Sequence, residues 1–271
     1  MKKINFTKMA ASGNDFVVVD NLKADFGSLA RNVCARKTGI GADGLLTIDK
    51  SKPGNFKMRI FNPDGSEAEM CGNGARCLAL YANKKFKLKN LRLYTKAGII
   101  EAKVNKDIVK IKMSHPKDCQ LDISVGMPHR NIKVDYIDSG VPHAVVFVEG
   151  LNIIDVVNIG RQIRYHKKFQ PRGTNVDFVE VYDKDFISVR TYERGVEHET
   201  LACGTGVVAS SLIAFLKLFN NKAKPKNFEM KVKTLSTEIL KVSFDYKDEK
   251  FFSVWLEGKT QMIYKGEYYV K

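Results

Sequence analysis

Short runs rich in valine, isoleucine, phenylalanine and tyrosine recur along the chain, each bounded by glycine, asparagine, aspartate or lysine. This pattern is typical of β-strands, in which alternate side chains point to opposite faces of a sheet. Strands therefore dominate the predicted structure. The runs are residues 16–20, 91–95, 99–104, 144–148, 177–182, 238–244 and 251–257.

Two longer apolar runs predict helices at residues 74–85 and 206–219, and each begins directly after a Cys-Gly-x-Gly segment. The second run is apolar on nearly all sides, which favours a helix buried within a sheet structure over one lying on its surface. The elements together predict an α+β fold with two sheet-rich units, each wrapped around one central helix.

The two predicted units resemble each other in sequence. "DGSEAE" at residues 64–69 matches "RGVEHE" at 194–199, and "GNDFVVV" at 13–19 matches "GTNVDFVEV" at 173–181. Matching blocks in the same order indicate an internal duplication, with a boundary near residues 114–120. The first match pairs Gly65 with Gly195, Glu67 with Glu197, and Glu69 with Glu199.

The charge of the chain is strongly basic, with 45 lysines and arginines against 30 acidic residues and a formal net charge of +15. Such an excess is one signature of nucleic-acid binding. Many of the lysines, however, alternate with apolar residues, as in residues 108–113 and 230–235. Alternation places them on the solvent face of half-buried strands. We therefore interpret the charge as a solubilising surface and expect no nucleic-acid partner.

The cysteine usage and the apolar runs indicate a cytoplasmic protein. No run of about 18 apolar residues occurs, and residues 1–20 begin basic but lack the apolar core of a signal peptide. The five cysteines are odd in number and scattered, without a Cys-x-x-Cys spacing. We expect no membrane partner, no metal site and a reducing compartment.

Two of the cysteines differ from the others in their setting. Cys34, Cys77 and Cys119 fit the ordinary role of a small buried hydrophobe. Cys71 and Cys203 each precede a Gly-x-Gly turn at a predicted helix start. Backbone N–H groups and the helix dipole favour an anion there, so both thiols are predicted to have lowered pKa values. The glycines let backbone amides approach a ligand carboxylate closely.

A pair of reactive thiols on two similar halves points to a reaction that needs an acid and a base. Stereochemical inversion at a carbon has this requirement, because one group removes a proton from one face while another delivers a proton to the opposite face. Cys71 and Cys203 are the candidates for this pair, and the duplication accounts for their matching surroundings.

The blocks around these cysteines resemble those of the diaminopimelate epimerase family. The blocks are "KMAASGNDFVVVD" (8–20), "FNPDGSEAEMCGNGARC" (61–77), "SGVPHAVVFV" (139–148), "RGTNVDFVEV" (172–181) and "YERGVEHETLACGTG" (192–206). They are spread in order over nearly the whole chain, and the two cysteine blocks are highly specific.

The resemblance implies an enzyme that uses neither pyridoxal phosphate nor a metal, and that interconverts LL- and meso-diaminopimelate for lysine and peptidoglycan synthesis. It also implies a homodimer, and a fold of two pseudo-symmetric domains, each a barrel-like mixed sheet around a central helix. The N-terminal domain is expected to comprise residues 1–116 and a returning strand within 260–271, and the C-terminal domain residues 117–259, with the active-site cleft between them.

The resemblance assigns roles to individual residues. It makes Cys71 and Cys203 the acid/base pair and gives His143 and Glu193 a part in proton movement at the thiols. The implied substrate-binding residues are Asn14, Asn62, Gly72, Asn73, Asn175, Glu193, Arg194, Gly204 and Thr205. The residue types suit these roles, because arginine binds a carboxylate through two parallel hydrogen bonds and asparagine and glutamate accept from an ammonium group.

Two positions depart from the family pattern. Many members have asparagine where this chain has Val141, and some have glutamine at the position of Gly44. Val141 supplies no side-chain amide, so the substrate is less firmly indicated than the class of reaction.

Three alternatives belong to other substrates or other classes of function. The nearest is a proline or hydroxyproline racemase or epimerase of the same fold. Its cyclic substrate would have no distal amino-acid group for Glu193 and Arg194 to bind. A thiol-disulfide oxidoreductase is disfavoured by the missing Cys-x-x-Cys spacing. A basic nucleic-acid-binding module is the third, and salt-sensitive retention on DNA would identify it.

Overall fold

The computed structural model describes residues 2–128, 131–220 and 225–270 and divides into two units. The first unit comprises Met1–Lys112 and Glu257–Lys271, and the second comprises Met113–Leu256. Within the described ranges, no helix is long and apolar enough to span a membrane.

The first unit opens with strands β1 to β8 and helices α1 and α2. In chain order they are β1 (Lys2–Ala11), β2 (Asn14–Asp20), α1 (Phe26–Cys34), β3 (Gly44–Lys52), β4 (Asn55–Phe61), β5 (Glu67–Ala68), α2 (Gly72–Phe86), β6 (Asn90–Thr95), β7 (Gly98–Asn105) and β8 (Ile108–Lys112).

The second unit repeats this succession of elements. They are β9 (Lys117–Gly126), β10 (Asn131–Asp138), β11 (Pro142–Phe147), α3 (Val156–Arg164), β12 (Asn175–Asp183), β13 (Phe186–Glu193), β14 (His198–Thr200), α4 (Gly204–Leu218), β15 (Asn227–Lys233), β16 (Ile239–Lys247) and β17 (Lys250–Lys259). The chain passes back to the first unit within β17, and β18 (Gln261–Val270) ends the fold by pairing antiparallel with β1.

The strands of each unit pair in the same order. In the first unit β2 is antiparallel to β1 and parallel to β3, β4 is antiparallel to β3 and β5, and β6 runs parallel to β4. In the second unit β11, β12, β13, β14 and β15 repeat these relations, beginning from β10. One long helix, α2 or α4, follows the short strand in each unit. The predicted α+β class, with two similar mixed-sheet units around central helices, is confirmed.

The pairing corrects the predicted alignment of the repeat. Strand β2 corresponds to β11, because each is the strand parallel to the next long strand, so residues 13–19 match 139–148 rather than 173–181. Likewise Glu67 matches Glu199, since each forms a two-bonded ion pair with an arginine of the preceding long strand. Both glutamates lie four residues before the cysteine of their unit and need no gap in the alignment.

Every run predicted as a strand falls in an observed strand, with small shifts at the ends. Helix α4 is buried from Gly206 to Phe215, as its all-round apolar sequence predicts. Helices α1 and α3 were not predicted from the sequence. Each has nine residues, is capped by an aspartate (Asp25 or Asp155), and packs one apolar face against the sheet of its unit.

Candidate active site

Cys71 occupies the N-cap of α2, where its sulfur accepts a hydrogen bond from the Gly74 backbone N–H at 3.5 Å. A Cβ at Gly74 would lie 3.0 Å from the Leu46 side chain, so any larger residue would require that side chain to shift. Cys71 is only partly buried. The predicted helix-terminal setting of this thiol is therefore present, with one N–H group directed at the sulfur.

Polar side chains pack behind the Cys71 turn. Asn73 donates to the Asn14 side-chain oxygen at 2.7 Å, and Asn14 donates to Asp43 at 3.0 Å. The fully buried Arg76 donates to the Asn73 side-chain oxygen and to Ser12 Oγ, both at 2.7 Å. The structure thus brings Asn14 and Asn73 together beside the cysteine turn and fixes both amides. Sequence reasoning missed the buried cation that holds them.

Asn62 follows β4, at the start of the turn before β5, and its amide donates to Ser66 Oγ at 2.9 Å. By strand pairing its counterpart in the second unit is Glu193, because Phe61 pairs with Glu67 as Tyr192 pairs with Glu199. The two halves thus differ here, with a neutral amide in one and a carboxylate in the other.

Cys203 occupies the N-cap of α4, and its sulfur lies 3.4 Å from Thr205 Oγ1. The residue is 9% exposed. Burial raises the pKa of the Cys203 thiol well above 9.0, and the nearby Glu193 and Asp177 carboxylates raise it further. The predicted lowering of this pKa is wrong, because desolvation of the thiolate outweighs the hydrogen bonds from Thr205 and the Gly206 N–H.

His143 connects to the Cys203 turn through Thr205. The imidazole is fully buried, with Nδ1 2.7 Å from Asp177 Oδ2 and Nε2 2.9 Å from Thr205 Oγ1. Asn175 donates to the Pro142 carbonyl at 3.1 Å, and its amide nitrogen is 3.4 Å from Nε2. The structure therefore gathers His143, Asn175, Thr205 and Cys203, four of the residues that sequence reasoning selects.

Glu193 lies at the end of β13 and accepts a hydrogen bond from Thr200 Oγ1 at 2.9 Å. Burial raises its pKa above 4.5, while the hydrogen bond from Thr200 and the electrostatic interaction with His143 act in the opposite direction. Because Glu193 in turn raises the pKa of Cys203, its carboxylate lies within electrostatic reach of that thiol.

Arg194 belongs to a group of arginines. Its backbone N–H donates to the Asn175 side-chain oxygen at 2.8 Å and its guanidinium donates to the Arg172 carbonyl at 2.9 Å. Burial lowers its pKa, and the charges of Arg164 and Arg172 lower it further. A carboxylate ligand would relieve this repulsion between cations. Among residues 2–128, 131–220 and 225–270, no cluster of three or more His, Cys, Asp or Glu side chains is placed to hold a metal ion.

The same residues lie within a match to a known family. The family model described as diaminopimelate epimerase matches residues 6–117 and 135–259, which include both cysteine turns, His143 and Glu193. The chain belongs to the diaminopimelate epimerase family.

Curated members of the diaminopimelate epimerase family match this chain over most or nearly all of its length. The diaminopimelate epimerase of Aquifex aeolicus is 42% identical over 282 residues, covering 97% of each chain. That of Archaeoglobus fulgidus is 43% identical over 231 residues, covering 78% of this chain and 81% of the relative. The prediction of an epimerase of this family is confirmed.

Solved structures of lower identity share the fold of this diaminopimelate epimerase family member. A phenazine biosynthesis protein of the PhzF family from Bacillus anthracis superposes with a TM-score of 0.74 at 18% identity, covering 100% of both chains. A hydroxyproline epimerase from Agrobacterium vitis superposes with a TM-score of 0.68 at 15% identity, covering 99% of this chain and 91% of that chain. At such identities the likeness concerns the fold alone.

Proposed function

We propose that this chain interconverts LL- and meso-diaminopimelate by proton transfer at one α-carbon, with Cys71 and Cys203 as the two proton-transfer groups. The observation that carries the proposal is the repeated Cys-Gly-x-Gly helix start, which occupies the same position in two copies of one fold. Membership of the family supports the substrate.

In the resting enzyme Cys71 is the base and Cys203 the acid. The Cys71 sulfur accepts an N–H group at a helix N-terminus, which favours a thiolate. Cys203 is buried near two carboxylates, which favours the protonated thiol. Cys71 Sγ takes the α-proton as the C–H bond breaks, and the Cys203 S–H delivers its proton to the opposite face of the same carbon. The cycle leaves Cys71 protonated and Cys203 as the thiolate, and proton exchange with solvent restores the resting state.

The substrate is held by groups from both units. The backbone N–H groups of Gly72–Asn73 and Gly204–Thr205, at two helix N-termini, bind the carboxylate of the reacting end. Arg194, within its group of cations, binds the distal carboxylate. The amino and carboxylate ends of the substrate are held by side chains of the family pattern. These are Asn14, Asn62, Asn175 and Glu193, together with Arg194.

Further properties are proposed from the family resemblance. They are catalysis without pyridoxal phosphate or a metal, a homodimeric cytoplasmic enzyme, a role in lysine and peptidoglycan precursor synthesis, and no nucleic-acid partner. The domains are proposed to be residues 1–116 with 260–271, and residues 117–259, with the substrate bound between them.

Gly44 and Val141 depart from the family pattern, so the identity of the substrate is the part of the proposal to test first. A Cβ at Gly44 would lie 3.1 Å from the Phe61 carbonyl, so glutamine does not fit this backbone without a shift. Incubation with LL-diaminopimelate in deuterated water is the direct experiment. We expect meso product with deuterium at the inverted carbon, because base and acid are different groups. Full retention of protium over a single turnover would overturn the two-thiol mechanism.

Controls separate the thiols from the fold and the substrate from its alternatives. Cys71→Ala and Cys203→Ala should each lower the epimerisation rate by about 10²–10⁴-fold. Cys34→Ala, which removes a buried thiol of α1, should leave the rate unchanged. Parallel incubations contain L-proline or trans-4-hydroxy-L-proline. Inversion of either, with none of LL-diaminopimelate, would reject the proposed substrate in favour of a cyclic one.

A further inference from the structure

A buried carboxylate stands behind the Cys203 turn. Asp177, in β12, is fully buried and both of its oxygens accept hydrogen bonds. Oδ1 accepts from Thr191 Oγ1 and Oδ2 lies against His143 Nδ1, each at 2.7 Å. The carboxylate is held so closely against α4 that a Cβ at Gly206 would overlap it. Burial of a carboxylate is costly unless hydrogen bonds compensate for it, so its retention requires an explanation.

The other unit shows that the fold does not need this carboxylate. Leu46 of β3 pairs with Ile60 of β4, and both pack against Gly74 in the Cys71 turn. At the matching place in the second unit, Asp177 pairs with Thr191 and both face Gly206. An aliphatic pair therefore supports one cysteine turn, and a carboxylate with a hydroxyl supports the other.

We propose that Asp177 is a positioning residue for the reaction, acting on Cys203 through His143 and Thr205. Asp177 accepts the Nδ1–H of a neutral His143, which leaves Nε2 as an acceptor for the Thr205 hydroxyl. The Thr205 oxygen is then free to accept the S–H of Cys203. In this series of hydrogen bonds from Cys203 to Asp177, every donated hydrogen points away from the sulfur and toward Asp177. The inference rests on the proposed role of Cys203.

The same series of hydrogen bonds gives the Cys203 proton a route when Cys203 must act as the base. The S–H proton moves to Thr205 Oγ1 as the Thr205 proton moves to His143 Nε2, leaving a thiolate and an imidazolium paired with Asp177. Reversal returns the proton to sulfur. Among the described residues, the charged groups that interact with His143 are Asp177 and Glu193, and Cys203 is connected to it through Thr205. An imidazolium among them offsets the two carboxylates that otherwise disfavour the thiolate.

The test is Asp177→Asn. With its oxygen accepting from Thr191, the asparagine would direct its NH₂ group at Nδ1 and move the histidine proton to Nε2. We expect kcat to fall about 10²-fold, in both directions, with KM changed by less than about threefold.

A tautomer measurement separates this effect from loss of structure. ¹⁵N NMR of histidine-labelled protein needs no substrate, and His143→Gln identifies the signal among the five histidines. Wild type should show Nδ1–H and Asp177→Asn should show Nε2–H. Asp135→Asn is the matched control, because Asp135 is also a buried carboxylate of the second unit but pairs with Lys217. It should change neither tautomer nor kcat.

A double variant tests the same proposal if Asp177→Asn folds poorly. Asp177→Leu with Thr191→Ile copies the aliphatic pair that the first unit uses around Gly74. This variant should fold, and its kcat should decrease as much as that of Asp177→Asn. Wild-type activity in either variant, within about threefold, would overturn the proposal. An Nε2–H tautomer of His143 in the wild-type protein would also overturn the proposal. If only the proposed function were wrong, the wild-type protein would still show the Nδ1–H signal.

Discussion

Behind Cys71 the buried charge is the guanidinium of Arg76, whereas behind Cys203 it is the carboxylate of Asp177. The backbones of the two turns match, since each cysteine is the N-cap of a 15-residue helix that follows a short strand. The fifth residue after the cysteine is Arg76 in one helix and Val208 in the other, and both are fully buried.

A duplicated fold can carry two chemically unlike groups at equivalent positions. Burial and two nearby carboxylates favour the protonated thiol at Cys203, whereas Cys71 is less buried and lies in a turn whose supporting charge is a cation. An inverting enzyme needs this asymmetry at rest, because one base and one acid must face the same carbon.

Replacement of the buried cation should have the largest effect. Arg76→Met removes hydrogen bonds to the Asn73 side chain and to Ser12, so Asn73 and Asn14 lose their fixed orientation. Hydrogen bonds to charged groups contribute about 1.5–3 kcal/mol each. We therefore expect kcat/KM to fall about 10²-fold, mainly through KM. Steady-state kinetics with LL-diaminopimelate provide the measurement.

Lys84→Met is the matched control for Arg76→Met. Lys84 is an exposed basic residue in the last turn of the same helix. Its replacement should leave KM within about twofold of the wild-type value, since surface substitutions are usually nearly neutral. An unchanged KM in Arg76→Met would show that the buried cation does not organise the binding amides.

The strands and the two central helices were predictable because their signals are local. Alternation of apolar residues marks the strands, and a cysteine before Gly-x-Gly marks both helix starts. The equivalence of β2 with β11 was not predictable from residues alone. Valine-rich strands resemble one another, and only the pairing partners distinguish them.

The cysteines, His143 and Glu193 were predictable from their motifs, but their electrostatics were not. The helix-terminus argument for Cys203 is local, whereas its raised pKa comes from burial and from carboxylates on β12 and β13. Asp177 and Arg76 contradict the rule that charged residues lie outside. The segment 176–181 contains two carboxylates, Asp177 and Glu180, and the sequence does not indicate that Asp177 is the one that is fully buried.

Alkylation rates should report the two turns directly. At neutral pH, iodoacetamide should modify Cys71 at least about tenfold faster than Cys203, since only the thiolate reacts. Cys71 is partly exposed and accepts an N–H group, whereas the buried Cys203 is held as the thiol. Mass spectrometry of peptides from a Cys119→Ser background measures both rates without interference from the exposed Cys119. Equal rates would remove the basis for assigning Cys71 as the resting base.

The smallest effect concerns Glu193, the charged counterpart of Asn62. Burial raises the pKa of Glu193 above its ordinary value of 4.5, so the folded protein retains a proton that the unfolded chain releases. Stability contributed by this proton is present below pH 4.5 and is lost as pH rises through the raised pKa. Glu193→Gln has no such proton and should gain relative stability over that interval. Thermal unfolding at pH 4.5 and pH 8 should show the difference in Tm, variant minus wild type, increasing with pH by a few degrees at most. Asn62→Ala, at the neutral counterpart, should give a difference that is independent of pH. A Glu193→Gln difference that stays constant toward pH 8 would mean that folding does not shift the pKa of Glu193, and one that decreases would mean that the carboxylate is stabilised in the folded protein. Either result would make its role at Cys203 that of a resident anion rather than a carboxyl that can hold a proton.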